Sequence, residues 1–440
     1  MKNHTIVSLA TPFGYSSIAV IRLSGSLSFS IALKLSKSKK KPKKLLTKIL
    51  SVFAGDGKKI DRCVFTFFKG PFSYTGEDVV EISCHGNPTI TRMIINRSTS
   101  LGASLAEPGE YTKRAFLNGK MSLSQAESVA LLISSRSKKA VYSNSKNIEG
   151  GSAEKIKEIK NSLLNTLSML EYELDVSEDE HLTKKSIKKS TKVLKNNCLE
   201  LSVLCDSYTL SSAYNNGFRV AIVGQPNVGK STLMNALLGS DRSITSKTPG
   251  TTRDTITQSI VLGGCPITLV DTAGFRKSKN PIEQEGVRRG EVETKRADLV
   301  LSVFCDGSEP IENNELKKQI FVYNKTDKHK EKIKKGNTIP VSALKNKGIK
   351  ELLSKIQSSL FKQSEHTGDL LINTERQLQA IKTSLGHSKE AIKLLKQNPV
   401  LIELVSHETR RAIDSLDVFL GKSTTDDILD RVFSSFCVGK

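Results

Sequence analysis

The octapeptide Gly224–Ser231 constrains this chain more than any other feature, because it matches Gly-x-x-x-x-Gly-Lys-Ser/Thr. An apolar, strand-like run at 218–223 precedes it, and a helix-forming run at 232–238 follows it. This strand–loop–helix order is the context that a phosphate-binding loop requires. In such a loop backbone N–H groups surround the phosphates, Lys230 adds positive charge, and the Ser231 hydroxyl is available to Mg²⁺. The sequence therefore predicts a P-loop nucleotide-binding domain.

Three later motifs indicate which nucleotide is bound. The strand-like run ending at Asp271 continues to Gly274, so the acid can hold Mg²⁺ through water and the glycine N–H can sense a γ-phosphate. The run Asn324–Asp327 has the pattern Asn-Lys-x-Asp, whose last carboxylate accepts from N1–H and N2–H₂ of guanine. Adenine offers no such donor pair. A backbone N–H in Ser342–Leu344 can reach guanine O6. Each motif alone is typical of a loop or helix cap, but together they predict guanine nucleotide.

The usual water-orienting residue of Ras-like GTPases is missing, because Phe275 stands where a glutamine is expected. Asn227, within the loop, can offer an amide oxygen to a monovalent cation, and carbonyls at 246–250 can complete its cage. Such a K⁺ would neutralise developing charge. Thr252 is a second candidate Mg²⁺ ligand. Glu283 could orient water, but its pattern alone favours the alternative that it is one of several solvated charges.

The chain is strongly basic, with 67 Lys and Arg against 45 acidic residues and a net charge of +22 over 440 residues. This excess favours a polyanionic partner such as RNA, or a chain that solvates its surface with lysine, and a membrane surface is a weaker third option. The eight lysines between Lys34 and Lys48 are expected on a solvated loop or helix face, with RNA contact as the alternative. A second basic cluster comprises Lys184, Lys185, Lys188, Lys189, Lys192 and Lys195.

Cysteine usage indicates a reducing compartment. The count is seven, which is odd, and no Cys-x-x-Cys pair occurs, so a disulfide framework and a zinc ribbon are disfavoured. The first residues are not typical of a signal peptide, and no apolar run approaches the ~18 residues that span a bilayer. We therefore expect a cytoplasmic protein.

Apolar periodicity divides the chain into four stretches. The first ~118 residues have the pattern of an α/β domain, with strands predicted at Thr5–Ala10, Ile18–Leu23, Cys63–Phe68 and Val79–Ser83. Helices are predicted from 119 to about 210, alternating strands and helices from 218 to about 360, and helices again from 375. Either four domains follow one another, or an α/β domain is inserted into a helical one. The second arrangement is simpler, because each helical stretch alone lacks partners for its apolar face.

Motifs along the whole length resemble the MnmE (TrmE) family of tRNA-modification GTPases. Besides the nucleotide motifs, the resemblance rests on Thr5–Pro12, Ile21–Gly25, Tyr74–Asp78, Pro108–Tyr111, Arg114–Asn118 and the terminal Phe436–Lys440. Without the family, that last pentapeptide would be interpreted as a frayed chain end.

The resemblance implies an α/β plus α multidomain fold. Its parts are an N-terminal α/β dimerisation and folate-binding domain (1–118), a helical domain in two pieces (119–216 and 365–440), and an inserted Ras-like P-loop G domain (217–364). It further implies a homodimer with a K⁺-stimulated GTPase activity and a flavin-dependent partner, MnmG (GidA). Together they would install a carboxymethylaminomethyl-type group at C5 of the wobble uridine in certain tRNAs. A tetrahydrofolate derivative of the 5-formyl or methylene type would donate the one-carbon unit.

Site residues carry over from the family position by position. The GTP-binding set is Asn227, Val228, Gly229, Lys230, Ser231, Thr232, Ser246, Thr252, Asp271, Thr272, Ala273, Gly274, Asn324, Lys325, Asp327, Ser342 and Ala343. The Mg²⁺ ligands are Ser231 and Thr252, and the K⁺ ligands are Asn227, Ser246, Thr248 and Thr251. The folate set is Arg22, Glu81, Lys120 and Lys440. The catalytic candidates are Glu283 and Cys437, although Cys437 is equally interpretable as a buried free thiol.

Some positions depart from the family pattern. The segment between Asp306 and Asn324 is short, Lys247 places an ammonium group within the cation loop, and Asn87 replaces a common glycine. A different class of function also remains open, namely a GTP-controlled RNA-binding factor for ribosome assembly that carries out no modification chemistry.

Overall fold

The computed structural model describes residues 4–38, 46–176, 184–239, 257–271, 292–311, 318–328, 338–361, 372–422, 426–434, 436, 438 and 439. The chain divides into two compact units. The first comprises Met1–Ala130, Ala153–Glu180 and Ile402–Lys440, and the second comprises Leu131–Ser152 and His181–Leu401. Within the described ranges, no helix is both long and apolar enough to cross a bilayer.

The first unit contains a six-stranded sheet in the order β3-β4-β5-β2-β1-β6. Its strands are β1 (Ile6–Leu9), β2 (Ser16–Ser24), β3 (Leu46–Phe53), β4 (Lys59–Phe68), β5 (Val79–Gly86) and β6 (Ser104–Leu105). Only β1 and β6 pair in parallel. Helices α1 (Ser28–Ser36) and α2 (Pro88–Ser100) pack against this sheet.

Alternation along β4 explains why the sheet has one apolar face. Cys63, Phe65 and Phe67 are buried while their neighbours are more exposed, as the two-residue period of a strand requires. Phe67 meets Phe29 of α1 edge to face, with ring centroids 5.4 Å apart. At the start of α2, the Asn87 side chain accepts from the Thr89 N–H at 2.8 Å, so the departure at this position supplies a helix cap.

The four strands predicted for this unit are confirmed, whereas β3 and β6 were missed. The lysine-rich run was expected to be a loop or a helix face, and this is wrong at its end, because Lys48 lies in β3. That segment alternates exposed and partly buried residues and pairs along β4, so partnership with a distant strand decides its conformation. Residues 39–45 of the run lie outside the described residues.

Helices make up most of the segment between the two sheets. They are α3 (Glu110–Leu117), α4 (Leu123–Ser134), α5 (Lys138–Ile148), α6 (Gly151–Val176) and α7 (Lys184–Asn216). The helical prediction for this segment is confirmed.

The six described cysteines of the chain are free thiols.

The second unit contains the other sheet, in the order β12-β11-β10-β7-β9-β8. Its elements are β7 (Phe218–Val223), α8 (Lys230–Gly239), β8 (Thr257–Leu262), β9 (Cys265–Asp271), β10 (Leu299–Phe304), β11 (Gln319–Tyr323), β12 (Thr338–Pro340) and α9 (Ile349–Phe361). All neighbouring strands are parallel except β8, which is antiparallel to β9. Both faces of such a sheet are covered at its centre, so the central strands β7 and β10 are largely apolar.

The α/β part of the second unit, from β7 to α9, is inserted between two helices that pack against each other. Helix α7 ends just before β7, and α10 (Glu375–Leu394) follows α9 in the chain, yet α7 and α10 are neighbours. The predicted fold class, with a P-loop domain inserted into a helical one, is therefore confirmed. The domain boundaries at 118, 216 and 364 stay predictions.

The C-terminal tail is docked, so its interpretation as a frayed end is wrong. After α11 (Ile402–Leu420) and α12 (Asp426–Phe433), the Phe436 ring lies 5.4 Å from that of Phe433 in an apolar cluster with Leu123. Val438 then forms an isolated antiparallel bridge with Pro108. A side chain at Gly439 would come within 2.3 Å of the Leu9 carbonyl oxygen, so this position requires glycine.

A buried amide and hydroxyl network lies where the chain enters and leaves the inserted unit. The Asn373 side chain donates to Asn144 Oδ1 at 2.7 Å and accepts from the Ser211 hydroxyl. Asn144 in turn donates to Asn215 Oδ1 at 2.8 Å. Asn373, Asn144 and Ser211 are buried, and a satisfied network of this kind fixes one arrangement of the helices that carry it.

We expect Asn373→Ala to lower the free energy of unfolding by about 2–4 kcal/mol, because it removes the donor to the buried Asn144 Oδ1 and the acceptor of the buried Ser211 hydroxyl. The exposed Asn196→Ala, on the solvent side of α7, serves as the matched control and should change stability by less than about 0.5 kcal/mol. Urea denaturation followed by circular dichroism measures both. Equal stabilities of the two variants would contradict the structural role of the network.

Candidate functional site

The loop between β7 and α8 is shaped by its lysine. The Lys230 ammonium is buried and donates to the carbonyl oxygens of Gly224 and Gln225, both at 2.8 Å. Burial lowers the pKa of Lys230, and the Asp271 carboxylate opposes that shift. Asn227, at the exposed tip of the loop, has a φ of 64°, a left-handed conformation that asparagine tolerates better than most residues. The lysine thus closes the loop around the amino end of α8.

A hydroxyl and a carboxylate meet at one side of this loop. The Ser231 hydroxyl donates to Asp271 Oδ2 at 3.0 Å. Ser231 lies at the start of α8, beyond the loop that follows β7, and Asp271 ends β9, the parallel neighbour of β7. Asp271 is buried at the carboxyl end of β9. Hard oxygen donors of this type suit Mg²⁺, which binds through few protein ligands together with phosphate oxygens and water. The pair therefore fits the predicted Mg²⁺ role, and Thr232 follows as an exposed residue in the first turn of α8.

Asn324 joins the phosphate loop to the loop predicted to contact the base. Its buried amide donates to the Val228 carbonyl oxygen at 2.9 Å and accepts from the Ala343 N–H at 3.1 Å. A Cβ at Gly229 would lie 2.5 Å from Asn324 Nδ2, so the loop approaches this amide too closely for any other residue. One side chain therefore sets the distance between the two loops.

Asp327 and Lys325 flank this amide. Asp327 Oδ1 accepts from the Ser342 hydroxyl at 2.6 Å, and this hydrogen bond holds the pKa of the carboxyl below its ordinary value. The ammonium of Lys325 donates to the Asn227 carbonyl oxygen at 2.6 Å. An ionised carboxylate at this edge of the sheet is suited to accept two hydrogen bonds from N–H groups along one edge of a nucleotide base.

Sequence reasoning did not foresee three of these partnerships. They join Asn324 to Val228, Lys325 to Asn227, and Ser342 to Asp327. Their only signal in the sequence is the presence of two separate motifs. Part of the predicted set lies outside the described residues, namely Ser246, Thr248, Thr251, Thr252, Thr272, Ala273, Gly274 and Glu283, together with Lys247 and Phe275.

A second polar site lies in the first unit. Arg22 on β2 is paired in register with Glu81 on β5, and their side chains form an ion pair with an N–O distance of 2.7 Å. A second guanidinium nitrogen donates to the Gly439 carbonyl oxygen at 3.4 Å. The rings of Tyr74 and Tyr111 lie 5.7 and 5.6 Å from the Arg22 guanidinium carbon. Two of the predicted folate residues and the C-terminal tail therefore meet here.

The Tyr111 hydroxyl contacts the backbone of Arg22 in this site. It donates to the Arg22 carbonyl oxygen at 2.7 Å and accepts from Ser8 at 3.2 Å. Burial raises the pKa of Tyr111 well above its ordinary value, so the phenol stays protonated and remains a donor. The two tyrosines fall within the family motifs, but no role was predicted for them.

The remaining members of that set are less constrained by the described contacts. Lys120 is exposed and donates to the Pro71 carbonyl oxygen at 3.1 Å. Lys440 and Cys437 lie outside the described residues. The structure thus describes Arg22 and Glu81 as partners and Lys120 as a separate surface cation.

Comparison with known proteins gives concordant matches over nearly the whole chain. Residues 5–120 match the model of the GTP-binding protein TrmE N-terminus, and residues 123–437 match that of the MnmE helical domain. The tRNA modification GTPase MnmE of Thermotoga maritima is 37% identical, covering 99% of this chain and 100% of that protein. The Aquifex aeolicus protein of the same name is also 37% identical, over 99% of each chain.

Among solved structures, the G domain of the Thermotoga maritima FeoB iron transporter is 23% identical. It covers 34% of this chain and 99% of its own, with a TM-score of 0.26.

A phosphate-binding loop at the carboxyl edge of a mostly parallel sheet, with Asn-Lys-x-Asp at the end of β11, two strands away from β7, defines the class of P-loop GTPases. The comparisons specify the branch. The chain belongs to the MnmE (TrmE) family of tRNA modification GTPases.

We expect Gly229→Ala to weaken GTP affinity more than about 100-fold, because the new Cβ would collide with Asn324 and the φ of +91° disfavours any side chain. Gly239→Ala is the matched control, since nothing lies within 4 Å of its Cβ position. Titration with a fluorescent GTP analogue measures both. Unchanged affinity in Gly229→Ala would refute this account of the loop.

Proposed function

We propose that this chain binds and hydrolyses GTP and uses the cycle to drive modification of tRNA together with a flavin-dependent partner of the MnmG type. The product would be a carboxymethylaminomethyl-type group at C5 of the wobble uridine. The observation that carries the GTPase half is the Asn324 amide, which fixes a phosphate loop against an Asn-Lys-x-Asp motif. Family membership supports the tRNA half.

The residues divide the work of binding by their chemistry. Lys230 and the N–H groups of the loop and α8 would hold the phosphates, and Asp327 with a backbone N–H of the Ser342–Leu344 segment would recognise guanine. Ser231 and Thr252 would hold Mg²⁺, with Asp271 acting through water, and the bound ion neutralises phosphate charge. In hydrolysis a water oxygen bonds to the γ-phosphorus while the bond to the β–γ bridging oxygen breaks, giving GDP and phosphate. Glu283 would orient that water.

A monovalent cation near Asn227 would take the place of an arginine finger. Asn227 sits at the tip of the loop, and its main-chain oxygen is already held by Lys325. Its exposed side chain is therefore the part left to coordinate a cation, with Ser246, Thr248 and Thr251 as further proposed ligands. K⁺ bound there would stabilise charge that develops between the β- and γ-phosphates.

GTP turnover should be faster in K⁺ than in Na⁺ at equal ionic strength, and Asn227→Ala should abolish the difference. Asn227→Gly should behave the same way, which separates loss of the amide from strain at the positive φ. Asn196→Ala should keep the K⁺ preference. A steady-state phosphate-release assay distinguishes these outcomes, and equal rates of the unaltered protein in both salts would overturn the cation role.

The Arg22–Glu81 site would bind the folate cofactor. A carboxylate can hydrogen-bond pterin N–H groups, and the cations Arg22, Lys120 and Lys440 can pair with a glutamate tail. Docking of the tail through the Gly439 carbonyl supports a role of Lys440 in this site and of Cys437 in the modification, because Lys440 follows Gly439 directly and Cys437 lies two residues before it. We further propose a homodimer, working with the flavoprotein in the cytoplasm.

Deletion of the gene should leave wobble uridines undermodified, as nucleoside mass spectrometry of total tRNA would measure. Re-expression of the intact chain should restore the modified nucleoside, and Gly239→Ala should restore it equally. Unchanged wobble nucleosides in the deletion strain, with GTP-dependent binding to ribosomal subunits, would instead favour the ribosome-assembly alternative.

A further inference from the structure

The amino-terminal half of α7 carries a positively charged face. Five lysines on it are exposed, and the segment from Lys184 to Leu199 contains no acidic residue. The exposed lysines are Lys185, Lys188, Lys189, Lys192 and Lys195. We call them the α7 lysine face. Leu194 and Leu201, on the opposite side of the helix, are fully buried, so the lysines point away from the helical core.

This arrangement of lysines lowers the stability of the helix that carries it. Lys185, Lys188 and Lys192 follow one another at intervals of three and four residues, where like charges repel on a helix surface. The first turn of α7 has no acidic residue, although the amino end of a helix favours negative charge. Helix stability therefore does not explain why the lysines are there.

Some lysines elsewhere on the chain form ion pairs with acids. Lys160 pairs with Asp417 at 2.6 Å, and Lys155 pairs with Glu158 at 3.3 Å. Among the described residues, by contrast, no ion pair involves a member of the α7 lysine face. Because no ion pair within the described ranges neutralises its charges, a surface of this type attracts a polyanion from outside the chain.

Helix α10 extends the positive surface. It packs along α7, and the residues just before it lie beside the carboxyl-terminal part of α7, because the Ile372 N–H donates to the Ser207 hydroxyl at 3.0 Å and Asn373 accepts from Ser211. The two helices are therefore antiparallel. The carboxyl-terminal end of α10, which is followed by the exposed Lys396, thus points toward the α7 lysine face.

We propose that the α7 lysine face is the surface on which tRNA docks, through its phosphate backbone. This inference rests on the proposed function and deepens it by assigning the RNA partner to one helix. The ten-residue span from Lys185 to Lys195 covers about 15 Å along the helix axis, so it can follow several successive phosphates. Phosphate contacts position a nucleic acid without reading its sequence, which suits an enzyme that accepts more than one tRNA.

The test compares two variants that lose the same charge. The first carries Lys185→Gln, Lys188→Gln and Lys192→Gln. The matched control carries Lys58→Gln, Lys350→Gln and Lys355→Gln, three exposed lysines elsewhere on the chain. Fluorescence anisotropy with an unmodified tRNA transcript, over a range of KCl concentrations, gives affinity and its salt dependence. GTP turnover without tRNA is measured in parallel.

The first variant should bind tRNA at least about tenfold more weakly than the control, and its log–log salt slope should be shallower by about 2–3. Its GTP turnover should be unchanged. Equal tRNA affinity in the two variants would overturn the proposal. So would selective loss of binding to vesicles of phosphatidylcholine and phosphatidylserine in equal parts with tRNA binding intact, because the face would then be a membrane surface.

Failure of this proposal can be told apart from failure of the proposed function. If the control and the first variant both restore the wobble nucleoside in a deletion strain and bind tRNA equally, only the docking surface is wrong. If the intact chain neither binds tRNA nor restores the nucleoside, both inferences are overturned.

Discussion

The buried amide of Asn324 is the contact on which the nucleotide site depends. It donates to the loop that would hold phosphate and accepts from the loop that would hold the base. A parallel sheet brings the carboxyl ends of its strands to one edge, but it does not fix how far apart the loops beyond them lie. One primary amide, which is both donor and acceptor, sets that distance. The closeness of Gly229 to this amide shows how little space the arrangement leaves.

In the N-terminal sheet, too, one polar side chain joins distant parts of the sequence, here a strand and the C-terminal tail. The guanidinium of Arg22 is held by Glu81, flanked by two tyrosine rings, and reaches the Gly439 carbonyl. The tail can stay there because Phe436 packs beside Phe433 and because Gly439 fits against Leu9. Residues more than 400 positions apart in sequence thus form one polar site, and neither end would be ordered by its own local interactions.

Several cations of the first unit are held in ion pairs. In the first unit Lys113, Lys160 and Arg114 each have a carboxylate partner among the described residues. On α7 of the second unit, lysines accumulate where the helix dipole and their mutual repulsion oppose them. Part of the net charge of +22 therefore lies on one helix face, where the proposed tRNA contact would use it.

The sequence by itself determined the class of the inserted domain, because each nucleotide motif is a short continuous segment whose glycines, lysine and acids specify their own local conformation. Periodicity was enough to predict four of the six N-terminal strands and the helical segments. It did not predict β3, whose conformation depends on pairing with β4. Only the tertiary structure decided that Asn324 meets Val228, that Arg22 faces Glu81 beside the tail, and that Asn144 joins Asn373 across 229 positions. These contacts join segments far apart in the chain, and neither segment carries a local signal of its partner.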